Sequence, residues 1–339
     1  MTHVEQGADA ADIERRVFRL IRRFEPDATD IQIRELHRLS SGYARENWSF
    51  QAFWRKGVQE HEAGLIVRRD PVTSLLETER EVEFAILQAL EAVPHVKAPR
   101  ARWVDGSGST MGTPALVMDR ILEGDCDWFL LNGDLPLDQR LQFAHRYVEH
   151  LSNLHQPPVL DAVTSALPDI PDDPGRYEVQ RWTETLRRYQ LEPYPELEYM
   201  RQWLLLHVPA PGPLALVHGD FKPGNMLTTG PVIHALLDWE TAHIGDPIED
   251  LGWITNPLRR AEQQIAGVWT AKHAVAYYEQ VTKTVVETDR LRFWQVFANY
   301  KLAVIAVTGL HAFIHQEESR VFWGPEEVLV PAFQLMGES

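Results

Sequence analysis

The chain has 339 residues, 44% of them apolar and 24% charged, with a net charge of −16 at neutral pH. That length is too great for one small core and predicts two domains, or two lobes sharing a hinge. The acidic balance argues against nucleic acid as a partner, because phosphate backbones need basic faces, and the single cysteine, Cys126, rules out a disulfide framework and fits a reducing, cytoplasmic setting.

The first residues, MTHVEQGADA, lack a basic start followed by an apolar stretch, so no signal peptide is expected. Residues 10–24 place Ile13, Val17, Leu20, Ile21 and Phe24 on one helical stripe. NWSFQAFW (47–54) and GLIVRRD (64–70) read as strands. After Pro71, SLLETEREVEFAILQALEA predicts a helix with Ser74 as cap and Glu77 at capping-box spacing. APRARWVD (98–105) and TPALVMDR (113–120) read as strands flanking the turn DGSGSTMG. The first ~120 residues are thus mostly strands with one inserted helix.

Beyond residue 122 the pattern changes. Residues 137–155 have helical spacing, two more helices cover about 176–190 and 195–207, and others lie near 261–281 and 287–315. The apolar run 302–314 is shorter than the ~20 residues a membrane helix needs and contains Thr308 and His311, so no membrane span is expected. Residues 1–122 carry a net −2 and the remainder −14. The acidic second part reads as a solvated surface; a face that welcomes a cationic substrate is the alternative. There is no P-loop motif, no dinucleotide fingerprint and no zinc-type His/Cys cluster.

One stretch concentrates polar residues between apolar runs: LVHGDFKPGNMLTTGPVIHALLDWE, 216–240. LALV, MLTT and VIHALLDWE are short strand-like pieces, with Gly230 and Pro231 turning between the last two. HGD-x4-N, followed 13 residues later by Asp238, brings oxygen-bearing side chains to one region. Magnesium takes hard oxygen ligands of this kind and fills its shell with water and phosphate. A separate Asp is then free to accept a proton from an attacking hydroxyl.

At these residues the sequence resembles the aminoglycoside phosphotransferase family, a branch of the protein-kinase-like fold. HGDFKPGN is similar to its catalytic loop and LDWE to its metal-binding segment, and GDPIEDLGW (245–253) extends the likeness, which spans about Arg34 to Asn256. The wording most resembles the phosphotransferase domains related to those fused to some acyl-CoA dehydrogenases. The resemblance implies an α+β, bilobal, kinase-like fold. Residues 1–122 would be a strand-rich nucleotide-binding lobe, and residues 123–339 a mainly helical catalytic and substrate-binding lobe. It implies Asp220 as catalytic base, Lys222 near the transferred phosphate, and Asn225 and Asp238 as magnesium ligands. His218 would brace the loop. Asp250 would begin a helix, and Asp246 would accept catalytic-loop amides.

The same fold needs a cation on the third strand and a carboxylate on the following helix to hold it. Strand alternation selects Arg68 over Arg69, with Glu81 as partner; Glu77, Glu79 and Glu83 compete for that role. Residues 40–50 would cover the phosphates, with Ser41 and Gly42 in the turn and Arg45 adding charge, although this loop has fewer glycines than the family usually shows. The connector from Met118 through Asp119 and Arg120 to Ile121 would offer backbone groups to adenine. Of the tryptophans in the second part, Trp128, Trp182, Trp203, Trp253 and Trp294 are core by default, or line an apolar acceptor pocket.

The expected function is transfer of the γ-phosphate of ATP (or GTP), with Mg2+, to a hydroxyl of a small molecule. A hydroxyacyl compound or related metabolite is one acceptor; an aminoglycoside or other cationic antibiotic is another. A regulatory pseudokinase is a different class, opposed by the intact Asp220, Asn225 and Asp238. Oligomeric state is not readable from this pattern.

Overall fold

The computed structural model describes residues 3–39, 46–70, 80–167, 170–315 and 324–337. The predicted phosphate loop with Ser41, Gly42 and Arg45, and the stretch with Ser74, Glu77 and Glu79, lie outside the described residues. The chain divides into two compact units, Met1–Glu91 with Pro99–Leu122, and Ala92–Ala98 with Glu123–Ser339.

The first unit contains α1 (His3–Phe24), β1 (Thr29–Arg38), β2 (Glu46–Lys56), β3 (Gln59–Arg69), α2 (Arg80–Leu90), β4 (Ala101–Asp105) and β5 (Ala115–Asp119). The strands form one antiparallel sheet in the order β1-β2-β3-β5-β4. Period-2 alternation decides its two faces. Leu65 and Val67 of β3 join Phe50, Ala52 and Trp54 of β2 and Trp103 of β4 in a core closed by the α1 stripe Ile13, Val17, Leu20 and Ile21. Each such side chain contributes roughly 1.5–3 kcal/mol when withdrawn from water. Arg68, one residue on from Val67, therefore belongs to the opposite face.

Strand β1 was not among the predicted elements. Its ladder with β2 is irregular between Thr29 and Gln32 and again between Arg34 and His37. Asp30 and Glu35 have positive φ, 51° and 54°. Bulges of this kind interrupt the alternation by which a strand is recognised.

The second unit contains α3 (Leu137–Leu154), α4 (Pro157–Thr164), α5 (Pro174–Tyr189), α6 (Pro195–Leu206), β6 (Ala215–Val217), β7 (Met226–Thr229), β8 (Val232–Leu236), β9 (His243–Gly245), α7 (Ile248–Thr255), α8 (Arg260–Gln263), α9 (Ala271–Thr282), α10 (Thr288–Ile314) and α11 (Leu329–Met336). β6 pairs with β9 and β7 with β8, both antiparallel. The helix expected over 261–281 is two, α8 and α9, separated by a bridge between Ile265 and Trp269. By length and composition α10 is apolar enough to cross a membrane, yet 72% of its apolar window is buried inside this unit. It packs on α5, α6, α7 and α11 as a core helix.

The α7–α10 crossing is close because Gly252 has no side chain. A Cβ there would lie 2.7 Å from Cβ of Trp294 and 2.9 Å from its carbonyl carbon. Gly252→Ala is expected to destabilise this unit by about 1–3 kcal/mol through overpacking. The check is the midpoint of urea unfolding; an unchanged midpoint would mean that the helices part freely.

Candidate active site

The site in the second unit is built around the turn that follows β6. Gly219 has φ +78°, a left-handed conformation that costs glycine little. The amides of His218 and Gly219 donate to the two oxygens of Asp250, at 2.8 and 2.9 Å. His218 is fully buried. Its Nε2 donates to the Leu237 carbonyl at 3.0 Å, and its Nδ1 accepts the Asp220 amide at 3.3 Å. Those partners require the neutral imidazole with its proton on Nε2. Burial holds its pKa below the ordinary value, although Asp250, Asp220 and Asp238 pull the other way. As expected from sequence, His218 is a brace: it ties the catalytic loop to the strand end before Asp238.

Asp220 stands at the centre. Its Oδ2 accepts Lys222 Nζ at 2.6 Å and Asn225 Nδ2 at 3.0 Å. The same Asn225 amide donates to the Asp220 carbonyl at 2.9 Å. Burial raises the Asp220 carboxyl, but the charges of Lys222 and Arg259 and the Lys222 hydrogen bond outweigh it, so its pKa is lowered. Asp220 is thus ionised at neutral pH. Among the described residues its Oδ1 and Asn225 Oδ1 carry no hydrogen bond.

The β7–β8 hairpin brings the remaining acid in. Met226 pairs with Leu236, and the Leu237 amide donates to the Asn225 carbonyl at 2.7 Å. Asp238 is therefore one residue from the position opposite Asn225. It adopts φ 67° and ψ 58°, a left-handed conformation rare outside glycine and often found where side-chain aim matters. Asp220, Lys222, Asn225 and Asp238 are thus gathered by one turn and one hairpin.

The two acids that follow exchange the roles expected of them. Asp250, not Asp246, accepts the catalytic-loop amides, and it also receives His155 Nε2 at 3.2 Å. Asp246 starts α7 by accepting the Ile248 amide at 2.9 Å, and its other oxygen takes Arg290 Nε and Trp294 Nε1, both at 2.7 Å. Asp250 lies inside α7, so its side chain faces back onto the turn that α7 packs against.

In the first unit, Arg68 is buried on the sheet face away from α1 and donates to Glu83 Oε1 at 3.3 Å. The partner is Glu83 and not Glu81. Helical positions two apart point to different sides, and Glu81 is exposed, with its carboxylate over Gly106. Arg80 pairs with the other Glu83 oxygen and with Asp70 at 2.5 Å, so Arg68 is anchored in a buried four-residue network. In the connector, the Asp119 and Arg120 amides already donate to the carbonyls of Arg100 and Gly64, and the Asp119 carboxylate pairs with Arg102. Of the predicted adenine contacts, the Ile121 amide is the one with no partner among the described residues.

Comparison with known proteins gives this geometry a family. The model of the phosphotransferase enzyme family matches residues 43–291. The chain belongs to that family. It is 28% identical over 264 residues to Acyl-CoA dehydrogenase family member 10 of Mus musculus, covering 71% of this chain and 24% of that protein. The chain spans about a quarter of the length of the curated relatives it matches. Its fold matches the GDP and kanamycin complex of APH(2")-IIIa with a TM-score of 0.57 at 16% identity, over 95% of this chain and 97% of that one. It also matches APH(4)-Ia in complex with AMP-PNP and hygromycin B, with a TM-score of 0.55 at 15% identity, over 90% and 94%. The protein-kinase-like α+β fold expected from the sequence is therefore the fold observed.

Lys301, and the pairing of Trp128 with Lys222, escaped the sequence reading. Lys301, deep in α10, donates to the Gly219 carbonyl at 2.7 Å and lies 5.3 and 5.2 Å from the rings of Trp182 and Trp253. Trp128 lies under Lys222, with Nζ 4.4 Å from the ring centre. A Lys in an apolar helix and a Trp in a polar connector are the only signals either gave. Of the other tryptophans weighed as acceptor lining, Trp182, Trp253 and Trp294 are buried, and Trp203 stacks on His207 at 4.1 Å.

Below the catalytic loop, Glu178, His243 and Glu249 come together closely enough to resemble a metal cluster. Arg181 holds Glu178 at 2.6 Å, however, so the carboxylates already face fixed cations. Burial opposes charging of His243, but Glu178 and Glu249 outweigh it and raise its pKa to about 9. A raised folded pKa gives stability that is complete below the ordinary value of 6.5 and lost as pH rises through about 9. The melting temperature of this unit is expected to fall across that window in the native protein. His243→Gln should melt lower at pH 6.5 and show a flatter profile; parallel profiles would clear His243 of the effect.

Proposed function

We propose that the chain transfers the γ-phosphoryl group of ATP, with Mg2+, to a hydroxyl of a small molecule. The observation that carries the reading is the arrangement of Asn225. Its amide nitrogen is fixed on Asp220 while its oxygen has no partner among the described residues, and the hairpin sets Asp238 beside it. An amide oxygen and a carboxylate are hard donors that fit magnesium. When bound there, the ion would neutralise charge on the phosphates.

The chain's own residues do the rest. Asp220 keeps Oδ1 for the acceptor hydroxyl and takes its proton as the oxygen attacks the γ-phosphorus and the bond to the nucleoside diphosphate breaks. Lys222 offers charge to the transferring group. Arg68, steadied by Glu83, is assigned to the nucleotide phosphates, and the Ile121 amide to the base. We assign the nucleotide-holding role to the first unit and the chemistry to the second.

For the acceptor we favour an alcohol carried on an acyl or similar apolar arm. The names of the curated relatives support this, as does the half-exposed ring of Trp128 beside Lys222. An aminoglycoside is the second reading, supported by neighbours solved with kanamycin and hygromycin B. GDP in one neighbour and AMP-PNP in the other make GTP the competing donor.

Asp220→Asn is expected to bind ATP with native affinity and to lose transfer by about 10²–10⁴-fold. Native turnover in that variant would remove the base assignment. Asn225→Ala and Asp238→Ala should weaken nucleotide binding only when magnesium is present. Arg68→Ala should raise KM for ATP by about 10-fold or more, the loss of a charge-assisted hydrogen bond. A panel of hydroxy acids, their acyl thioesters, sugars and aminoglycosides, run with ATP and with GTP, decides acceptor and donor.

A further inference from the structure

We propose that Trp128 is a positioning residue of the transfer reaction, its indole, seated against Gly224, holding Lys222 on Asp220. This rests on the phosphotransferase reading of the site.

Three observations converge. First, Lys222 has two partners, Asp220 Oδ2 at 2.6 Å and the Trp128 ring at 4.4 Å. A lysine ends a flexible four-carbon stem, so a single ion pair orders it poorly. A ring face beneath the ammonium adds attraction and removes rotamer freedom. Second, the ring lies flat against the loop backbone. A Cβ on Gly224 would come within 2.7 Å of Cδ2 and Cε2 of the indole. Gly224 sits in the turn Pro223–Asn225, so the ring is seated on the turn that ends at Asn225.

Third, the segment carrying Trp128 is pinned on both sides. Asp125 and Thr228 of β7 exchange amide-to-carbonyl bonds at 3.0 Å in both directions. Asn132 Nδ2 donates to the carbonyls of Ala261 and Gln264 at 2.7 and 2.5 Å. Between them the Asp127 carboxylate accepts the Phe129 amide at 2.9 Å. Such an anchored connector presents its ring at a fixed height over the loop. Trp128 is nonetheless 41% exposed. A tryptophan serving only as core would be buried; this one keeps an open face beside the lysine.

The chain has six lysines, so protein labelled with 13C at lysine Cε gives six ε-methylene signals, and Lys222→Arg identifies the one that matters. Its signal is expected upfield, shifted by the indole ring current. Trp128→Ala and the bulkier Trp128→Leu should both return it to the ordinary range, and Trp128→Phe should keep part of the shift. In phosphate release from ATP, and in transfer to the best alcohol of the panel, Trp128→Ala should lower kcat by about 10-fold with KM for ATP unchanged. Trp128→Phe should restore most of that loss. The double variant with Lys222→Met should be no slower than Lys222→Met alone, because the ring acts through the lysine. The proposal is overturned if the Lys222 signal does not move in Trp128→Ala and Trp128→Leu. It is equally overturned if the two losses multiply in the double variant. A native protein that moves no phosphate to any acceptor would instead defeat the phosphotransferase reading, and the lysine signal would still decide the contact.

Discussion

The buried carboxylate of Asp250 receives two successive amides of the catalytic turn and one imidazole of α3's end. An unpartnered carboxylate at that depth is prohibitively costly, and partnered amides cannot leave without exposing it. The bond set therefore fixes where the chain turns after β6. Everything downstream inherits that position. His218 is placed to reach Leu237, Asp220 to meet Lys222 and Asn225, and Asn225 to open the hairpin that ends at Asp238. Burial raises the Asp250 carboxyl, yet the hydrogen bond and charge of His155 and the His218 contacts hold its pKa below the ordinary value. The acceptor of the loop amides stays ionised when the enzyme works.

A second buried network supports the same turn from below. Lys301 meets the Gly219 carbonyl and lies 3.9 Å from Glu249; His243 bridges Glu249 and Glu178; Arg181 closes on Glu178. Burial pushes Lys301 down, while the surrounding acids resist. Glu178 is drawn down to about 2 against its own burial, chiefly by Arg181 and His243. Glu249 is raised by burial, more than His243 can offset. The unequal fate of the two carboxylates follows from the fork of Arg181, whose bidentate geometry only Glu178 enjoys. Three fixed cationic side chains also explain why a metal is superfluous where the spacing of Glu178, His243 and Glu249 mimics a ligand set.

What was legible in the sequence is what short-range geometry decides. Asp220, Asn225 and Asp238 lie within 19 residues on one turn and one hairpin, and Gly230-Pro231 announces the reversal between β7 and β8. Strand alternation likewise selected Arg68. Choices between neighbours on a helix were not legible. Glu81 against Glu83 depends on which side of α2 is packed, and Asp246 against Asp250 on whether the acid before α7 or the one inside it meets the turn after β6; similar residues at both positions give the pattern no contrast. β1 hid behind its bulges. The partners of Trp128 and Lys301 were out of reach for another reason: they lie 94 and 82 residues away along the chain, at Lys222 and Gly219. No local period encodes such a pairing.

The charge distribution bears on the acceptor in a way that net charge conceals. Much of the acidity of the second unit is matched within its own elements. Glu178 faces Arg181, Glu198 faces Arg201 and Asp173 faces Arg176, each three residues away, and Asp246 takes Arg290 from α10. A carboxylate already held by an arginine offers a cationic guest little, because the guest must displace that partner or share it. Beside Lys222, by contrast, lies the ring of Trp128, 41% exposed. Aromatic faces reward apolar contact and tolerate many shapes. An acceptor that sets its hydroxyl on Asp220 and lays an apolar arm over Trp128 would press the ring more firmly onto Lys222 and Gly224. Binding energy from the unreactive part of such a substrate would then sharpen the geometry at the reacting oxygen, which is how remote contacts raise a rate and not merely an affinity.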